Sequence, residues 1–87
     1  MDPFAQIDLI VDLLTRMDIE VRREKMGGEG GGLCQMRGRR VMFIDEDADA
    51  ATRIDRCVTG LANLPEIESM FLPPDLRDQV DRARAVH

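Results

Sequence analysis

Aromatic residues are scarce in this chain, which contains three Phe and neither Tyr nor Trp. Proteins that bind single-stranded nucleic acids stack the bases on aromatic side chains, and this sequence has few residues to build such a platform. We therefore expect a core made mainly of aliphatic residues. No apolar run approaches the ~18 residues that a membrane-spanning helix needs, so we expect no membrane partner.

The usual zinc ligands are equally few, with one histidine, His87, and two cysteines, Cys34 and Cys57. The cysteines are not spaced as a C-x-x-C pair, so none of the usual zinc ligand sets can be assembled. His87 is the last residue, where a catalytic base or triad would lack an ordered pocket. We expect no catalytic residue, no metal and no cofactor. Both cysteines are predicted to be buried thiols, with a disulfide between them as the less favoured alternative.

Length and composition predict one small folded unit. The chain has 87 residues, 44% of them apolar and 33% charged, so we assign residues 1–87 to a single globular domain. A net charge of −5 argues against nucleic acid as the main partner. Six methionines suit a surface that packs against another protein, and homo-oligomerisation is a common remedy for a small core.

The first residues, MDPFAQID, are acidic where a signal peptide is basic, so we expect a cytoplasmic protein.

The first half of the chain shows helical and then strand-like periodicity. Apolar residues at helical spacing predict a helix from about residue 3 to residue 17, started by Asp2-Pro3. Alternation over residues 19–22 predicts a half-buried strand that ends near Lys25. Two short runs, 33–37 and 40–45, follow and predict a hairpin.

The predicted turn of this hairpin is Arg37-Gly38-Arg39. Because the three strands follow one another with short connections, we predict an antiparallel three-stranded meander.

A second helix is predicted after the acidic segment, capped by Asp47 or Asp49 and ended by Pro65. Residues 67–72, IESMFL, alternate like a strand and are predicted to form a short edge strand or extended segment. A third helix begins at Pro74. The order is α-β-β-β-α-(β)-α, which predicts an α+β domain with the helices packed on one face of the sheet.

Six of the seven glycines lie in the segment 26–40, MGGEGGGLCQMRGRR. A Walker A loop requires a lysine directly after its last glycine, and no lysine follows these glycines. The dinucleotide-binding fingerprint requires a glycine where Leu33 stands, and a helix after it, whereas a strand is predicted here. The segment is therefore predicted to be a flexible or positive-φ connection between strands.

The acidic segment DEDADAATRIDR resembles the opening of a calcium-binding loop, with Asp45, Asp47 and Asp49 at alternate positions. That loop also requires glycine at its sixth position and a bidentate glutamate at its twelfth. These positions hold Ala50 and Arg56, and an arginine would repel the ion. Helix capping is the better interpretation of these acids.

Basic residues are concentrated between residues 16 and 40, and around the hairpin turn they are Arg37, Arg39 and Arg40. Together with Arg22, Arg23 and Lys25 they could meet a phosphate backbone. The alternative is that they balance the acids of neighbouring elements.

The segment MDIEVRREKMGGEGGGLCQMRGRRVMFIDEDADAATRIDRCVTGLANL resembles small uncharacterised bacterial proteins that combine a helix, a glycine-rich GGLC-type hairpin and a second helix. It is more distantly similar to the N-terminal half of ImmA/IrrE-type metallopeptidases, in which these elements precede a helix carrying H-E-x-x-H. The corresponding helix here, ATRIDRCVTGLANLP, has neither histidine nor glutamate. The resemblance therefore implies a relative without metal or protease chemistry.

These observations predict a non-enzymatic cytoplasmic domain that acts by contact with another protein or with a second copy of itself. The predicted contact residues are Arg37, Arg39 and Arg40 at the hairpin, with Met36 and Met42 on the same ribbon. Two alternatives stay open. One is a nucleic-acid-binding module that uses the basic hairpin, and the other is a small enzyme or ligand-binding domain with a carboxylate site that carries no familiar motif.

Overall fold

Three α-helices and one three-stranded sheet make up the fold, as seen in a computed structural model that describes residues 2–86. The helices are α1 (Pro3–Arg16), α2 (Ala50–Ala62) and α3 (Pro74–Val86), with a 3-10 helix at Pro65–Ser69. The strands are β1 (Glu20–Glu24), β2 (Gly32–Met36) and β3 (Arg39–Asp45). The predicted α+β class is confirmed. None of the helices in this part of the chain is long and apolar enough to cross a bilayer.

Local capping sets where the first two helices begin and end. α1 ends before Asp18, whose positive φ of 61° redirects the chain, and Ile19 then donates its N–H to the carbonyl of Leu14 at 3.0 Å. At the start of α2, the carboxylate of Asp49 accepts a hydrogen bond from the N–H of Thr52 at 2.8 Å. Of the two caps that the sequence allowed, Asp49 is therefore the one used.

The strand order is β1-β3-β2, so the predicted antiparallel meander is only partly right. The hairpin of β2 and β3 is present, with Met36 paired with Arg39 across a two-residue turn at Arg37-Gly38. Both turn residues have positive φ, 52° and 78°, as a type I′ turn requires. β1, however, pairs with β3 in parallel. The sheet is mixed because the glycine-rich segment crosses the end of β3 instead of turning back beside β1.

The two faces of the sheet differ because successive side chains point to opposite sides. The inner face carries Val21, Leu33, Met42 and Ile44, which pack against the helices in the core. Residues from α1, α2 and α3 all belong to this core cluster. The outer face carries Glu20, Arg22, Cys34, Met36, Arg39, Val41 and Phe43. None of these outer-face residues belongs to the core cluster, so the helices lie on one side of the sheet.

Residues 67–72 do not form the predicted edge strand. A 3-10 helix occupies Pro65–Ser69, and Ile67 is buried at 1% exposure. Pro65 fits the first position of a helix, and the hydroxyl of Ser69 donates to the carbonyl of Glu66 at 3.1 Å. Alternation over so few residues does not distinguish a strand from a short helical turn, because both can bury every second or third side chain.

Candidate functional site

The glycine-rich loop between β1 and β2 wraps around one carboxylate, that of Asp45 at the end of β3. One oxygen of Asp45 accepts hydrogen bonds from the N–H groups of Met26 and Asp47, both at 2.9 Å. The other accepts from the N–H groups of Gly28 at 2.7 Å and Gly30 at 2.9 Å. The loop therefore does cradle an anion, as glycine-rich phosphate loops do, but the anion belongs to the chain itself.

A further hydrogen bond and a close approach place this loop beside the end of β3. Asp47 accepts a hydrogen bond from the N–H of Gly27 at 3.0 Å. Gly31, with a φ of 98°, lies so close to β3 that an added Cβ would stand 3.0 Å from the carbonyl oxygen of Phe43. The prediction of a positive-φ connection is confirmed at Gly27, Gly28, Gly31 and Gly32.

Asp45 is a buried acid, with 2% of its surface exposed. Burial by itself would raise the pKa of this carboxyl, but the hydrogen bonds from the four backbone N–H groups outweigh it and hold the pKa below its ordinary value. Asp45 is thus ionised near neutral pH, and its charge is satisfied by backbone dipoles. Because both oxygens are already bonded, this carboxylate is not poised to act on a substrate.

The outer face of the sheet is the second feature that carries chemistry. Met36 is 43% exposed, Phe43 is half-buried, and Cys34 is exposed. Val41 lies on the same face but is only 3% exposed. These residues form an apolar stripe along β2 and β3, which we call the outer stripe.

Charged residues border the outer stripe on two sides. Arg37 and Arg39 are exposed at the hairpin turn. On β1, the side chain of Arg22 donates to the carboxylate of Glu20, and this bond holds the pKa of Glu20 below its ordinary value, with a further contribution from the charge of Arg39. An apolar centre with a charged border is the usual organisation of a protein-contact surface.

The five predicted contact residues fall into two groups. Met36, Arg37 and Arg39 lie on the outer face and at the turn, where a partner can reach them. Met42 is 0% exposed and points into the core, so it is not part of any surface. The side chain of Arg40 donates to Glu66 at 2.8 Å and to the carbonyl of Met17 at 3.3 Å, and it connects β3 with the 3-10 helix and the end of α1.

Four of the basic residues are paired with acids, two with an acid of the same helix or strand and two with an acid of a neighbouring element. Arg16 contacts Asp12 at 2.7 Å and Arg23 contacts Asp8 at 4.0 Å, while Arg22 and Arg40 are paired as described above. The interpretation that these residues balance acids of neighbouring elements therefore holds for Arg23 and Arg40. Arg37 and Arg39 at the turn remain available for a contact.

The two cysteines have unlike surroundings. Cys57 is buried in the core, and burial raises the pKa of its thiol to about 11. Cys34 was predicted to be buried as well, but it is exposed because the helices do not cover the outer face. Both thiols are free, so the alternative of a disulfide between them is not realised.

The remaining candidates from the sequence contribute little. Within residues 2–86, no group of three or more histidine, cysteine, aspartate or glutamate residues could hold a metal ion. His87 lies outside the described residues.

Asp45 and Asp47 hold the glycine loop, a role that sequence reasoning missed. The available signal was a run of glycine N–H donors in need of an anion, followed by a cluster of aspartates.

Two exposed aromatic residues were also missed. Phe71 is 84% exposed before α3, and Phe4 is 59% exposed at the start of α1. Neither lies on the sheet, and nothing in the sequence pattern separates them from core residues.

No protein-family model, curated protein or solved structure matches this chain. The similarity to ImmA/IrrE-type proteins therefore stays a prediction, and function has to be argued from the geometry.

Proposed function

We propose that the chain is a non-enzymatic interaction domain that contacts another protein through the outer stripe and the arginines of the hairpin turn. The observation that carries this proposal is the one-sided sheet. The helices lie on the inner side, where α1 and α2 contact the sheet and α3 packs against α2. The outer face presents an exposed methionine, an exposed cysteine and a half-buried phenylalanine beside the two exposed arginines of the turn.

The composition of this surface favours a protein over nucleic acid as the partner. Methionine adapts its shape to an apolar neighbour, and arginine is enriched at protein interfaces because it combines an apolar stem with several donors. Met36 and Arg39 are direct neighbours across the hairpin, so both would enter one contact. The net charge of −5 opposes approach to a nucleic-acid backbone.

A capture experiment with matched variants tests the proposal. The tagged chain is used to capture proteins from the native host, and the set is compared with those captured by Arg39→Glu and by Met36→Ala. Arg16→Glu is the control for charge reversal, since Arg16 is exposed on α1. Met26→Ala is the control for loss of a methionine, since Met26 is 41% exposed in the glycine loop.

The expected result is a protein that is captured by the wild type and by both controls, and lost with both test variants. Truncating a central interface residue costs on the order of 1–2 kcal/mol or more, which corresponds to about a tenfold loss or more of affinity. A partner that Arg39→Glu and Met36→Ala retain as well as the wild type would refute the outer stripe as its contact surface.

The nucleic-acid alternative is tested with the same variants. It requires binding to mixed oligonucleotides at low salt that falls steeply as salt is added and is lost in Arg39→Glu.

A further inference from the structure

The two edges of the sheet differ in charge. β1 forms one edge and carries Glu20, Arg22, Arg23 and Glu24, which is the usual protection against edge-to-edge pairing. β2 forms the other edge, and its sequence, GLCQM, contains no charged residue. An uncharged edge strand is a template for a further strand.

The hairpin geometry shows which groups of β2 are available. Residues next to a two-residue turn form a hydrogen-bonded pair, and hydrogen-bonded and non-hydrogen-bonded pairs then alternate along the ladder. Met36–Arg39 is the pair next to the turn, so Cys34–Val41 is also hydrogen-bonded. Cys34 therefore directs its backbone groups toward β3, whereas Leu33 and Gln35 direct theirs to the open edge.

We propose that the occupant of this edge is β2 of a second copy, paired antiparallel about a two-fold axis at Cys34. In this register Leu33 lies opposite the partner's Gln35, and the two exchange both backbone hydrogen bonds, as do their symmetry mates. The two sheets then join into one. The inference does not depend on the outer-stripe contact with another protein, because the backbone groups at the edge of β2 carry the pairing.

Side-chain sizes fit this register. On the outer face, the exposed Met36 lies opposite the partner's Gly32, so the largest side chain of the strand faces its smallest residue. At the axis, Cys34 faces the Cys34 of the second copy, and the two side chains do not clash because cysteine is small. A shift of the register toward the turn by two residues would place Met36 against the partner's Cys34, and a shift by four would place it against the partner's Met36, so either would lose this complementarity.

The inner side of the edge also has room for the partner strand. A groove of about 230 Å³ runs beside β2 and is lined in part by Leu33, Thr59 and Asn63. In this register the partner's Gln35 lies opposite Leu33, so its polar side chain would enter this partly polar groove. At the hairpin tip, the exposed Arg37 approaches the partner's glycine loop, whose acidic residue Glu29 is also exposed.

Thiol cross-linking tests the register directly. Residues at the centre of a non-hydrogen-bonded antiparallel pair have Cα atoms about 4.5 Å apart, which lies within the range that a disulfide spans. Diamide supplies the oxidant: two Cys34 thiols lose two protons and two electrons and form one S–S bond, and diamide is reduced to the hydrazine. A covalent dimer should form rapidly, and Cys34→Ser should abolish it.

A displaced thiol provides the control for random collision. In the double variant Cys34→Ser, Met36→Cys, the thiol stays exposed on the same face but lies four residues along the strand from its mate, roughly 13 Å away. This variant should cross-link at least about tenfold more slowly than the wild type. Equal rates at positions 34 and 36 would overturn the register.

Association without oxidation is tested by light scattering under reducing conditions, up to about 1 mM protein, because a short edge contact is expected to be weak. Gln35→Pro removes an N–H that faces the open edge of the single chain, where proline is tolerated. It should leave the circular dichroism spectrum unchanged and weaken dimerisation by about tenfold or more. A strict monomer at the highest concentration, or a Gln35→Pro variant that dimerises like the wild type, would overturn the proposal.

Discussion

The crossing of the glycine loop over β3 can be tested by comparing two alanine substitutions, Gly31→Ala and Gly27→Ala. Both glycines have similar positive φ values, 98° and 89°. They differ in their surroundings: a Cβ at Gly31 would lie 3.0 Å from the carbonyl oxygen of Phe43, whereas a Cβ at Gly27 has nothing within 4 Å. The pair therefore separates backbone strain from steric contact with β3.

The expected free energies follow from these two terms. A left-handed φ costs a non-glycine residue about 1–2 kcal/mol, and both variants carry this cost. Alanine also lowers the entropy of the unfolded chain by a similar amount in each variant, so this effect cancels in the comparison. The contact with Phe43 adds about 1–3 kcal/mol for Gly31→Ala alone, because the backbone of a central strand cannot move away.

Urea unfolding followed by circular dichroism measures the difference. With a slope near 1 kcal/mol/M for a small domain, Gly31→Ala should unfold about 1 M or more below Gly27→Ala. The protein is kept at a few micromolar, so that self-association does not contribute. Equal midpoints for the two variants would refute the close approach of Gly31 to β3.

Two further predictions concern Asp45 and the thiols. The pKa of Asp45 lies below its ordinary value of 3.8 in the folded chain, so its stabilising effect is fully present above that pH and is lost as the pH falls through the lower folded value. Asp45→Asn should therefore lower the urea midpoint most near neutral pH, and the difference from the wild type should shrink as the pH falls below 3.8. A difference that is independent of pH would contradict the role of the charge. In labelling with dithiobis(nitrobenzoic acid), the exposed Cys34 should react in the native chain, whereas the buried Cys57 should react only on unfolding. Cys34→Ser should therefore remove the fast phase of the reaction. Two thiols that react equally fast would contradict the burial of Cys57.

Local sequence signals were sufficient for the helices and the hairpin. Pro3 marks the start of α1, Asp49 is one of the two caps that the sequence allowed for α2, and Gly38 marks the hairpin turn. The turn itself is one residue shorter than predicted, because Arg39 already pairs with Met36. The alternation of β3 also indicates that Met42 points inward. Met42 shares a face with the apolar Ile44, whereas Met36 pairs with Arg39, which lies on the opposite face of the sheet.

The pairing of β1 could not be predicted in the same way. A meander and the observed order β1-β3-β2 use the same strands, and they differ only in where the glycine-rich segment runs. That choice depends on Asp45, which binds N–H groups between 15 and 19 residues earlier in the chain. Periodicity and turn chemistry describe neighbours and do not report such a contact.

The bound carboxylate and the open edge strand are consequences of one topology. In a meander, β2 would be the central strand, and its uncharged sequence would be paired on both sides. Because the loop instead crosses the end of β3, β3 becomes the central strand and β2 is left at an edge. Asp45 stabilises this crossing by accepting the N–H groups that the loop would otherwise leave without a protein partner. The glycines of the segment are thus required twice, first to bring their N–H groups to the carboxylate and then to pass close over β3, and the same crossing places Cys34 and its neighbours where a second copy can pair with them.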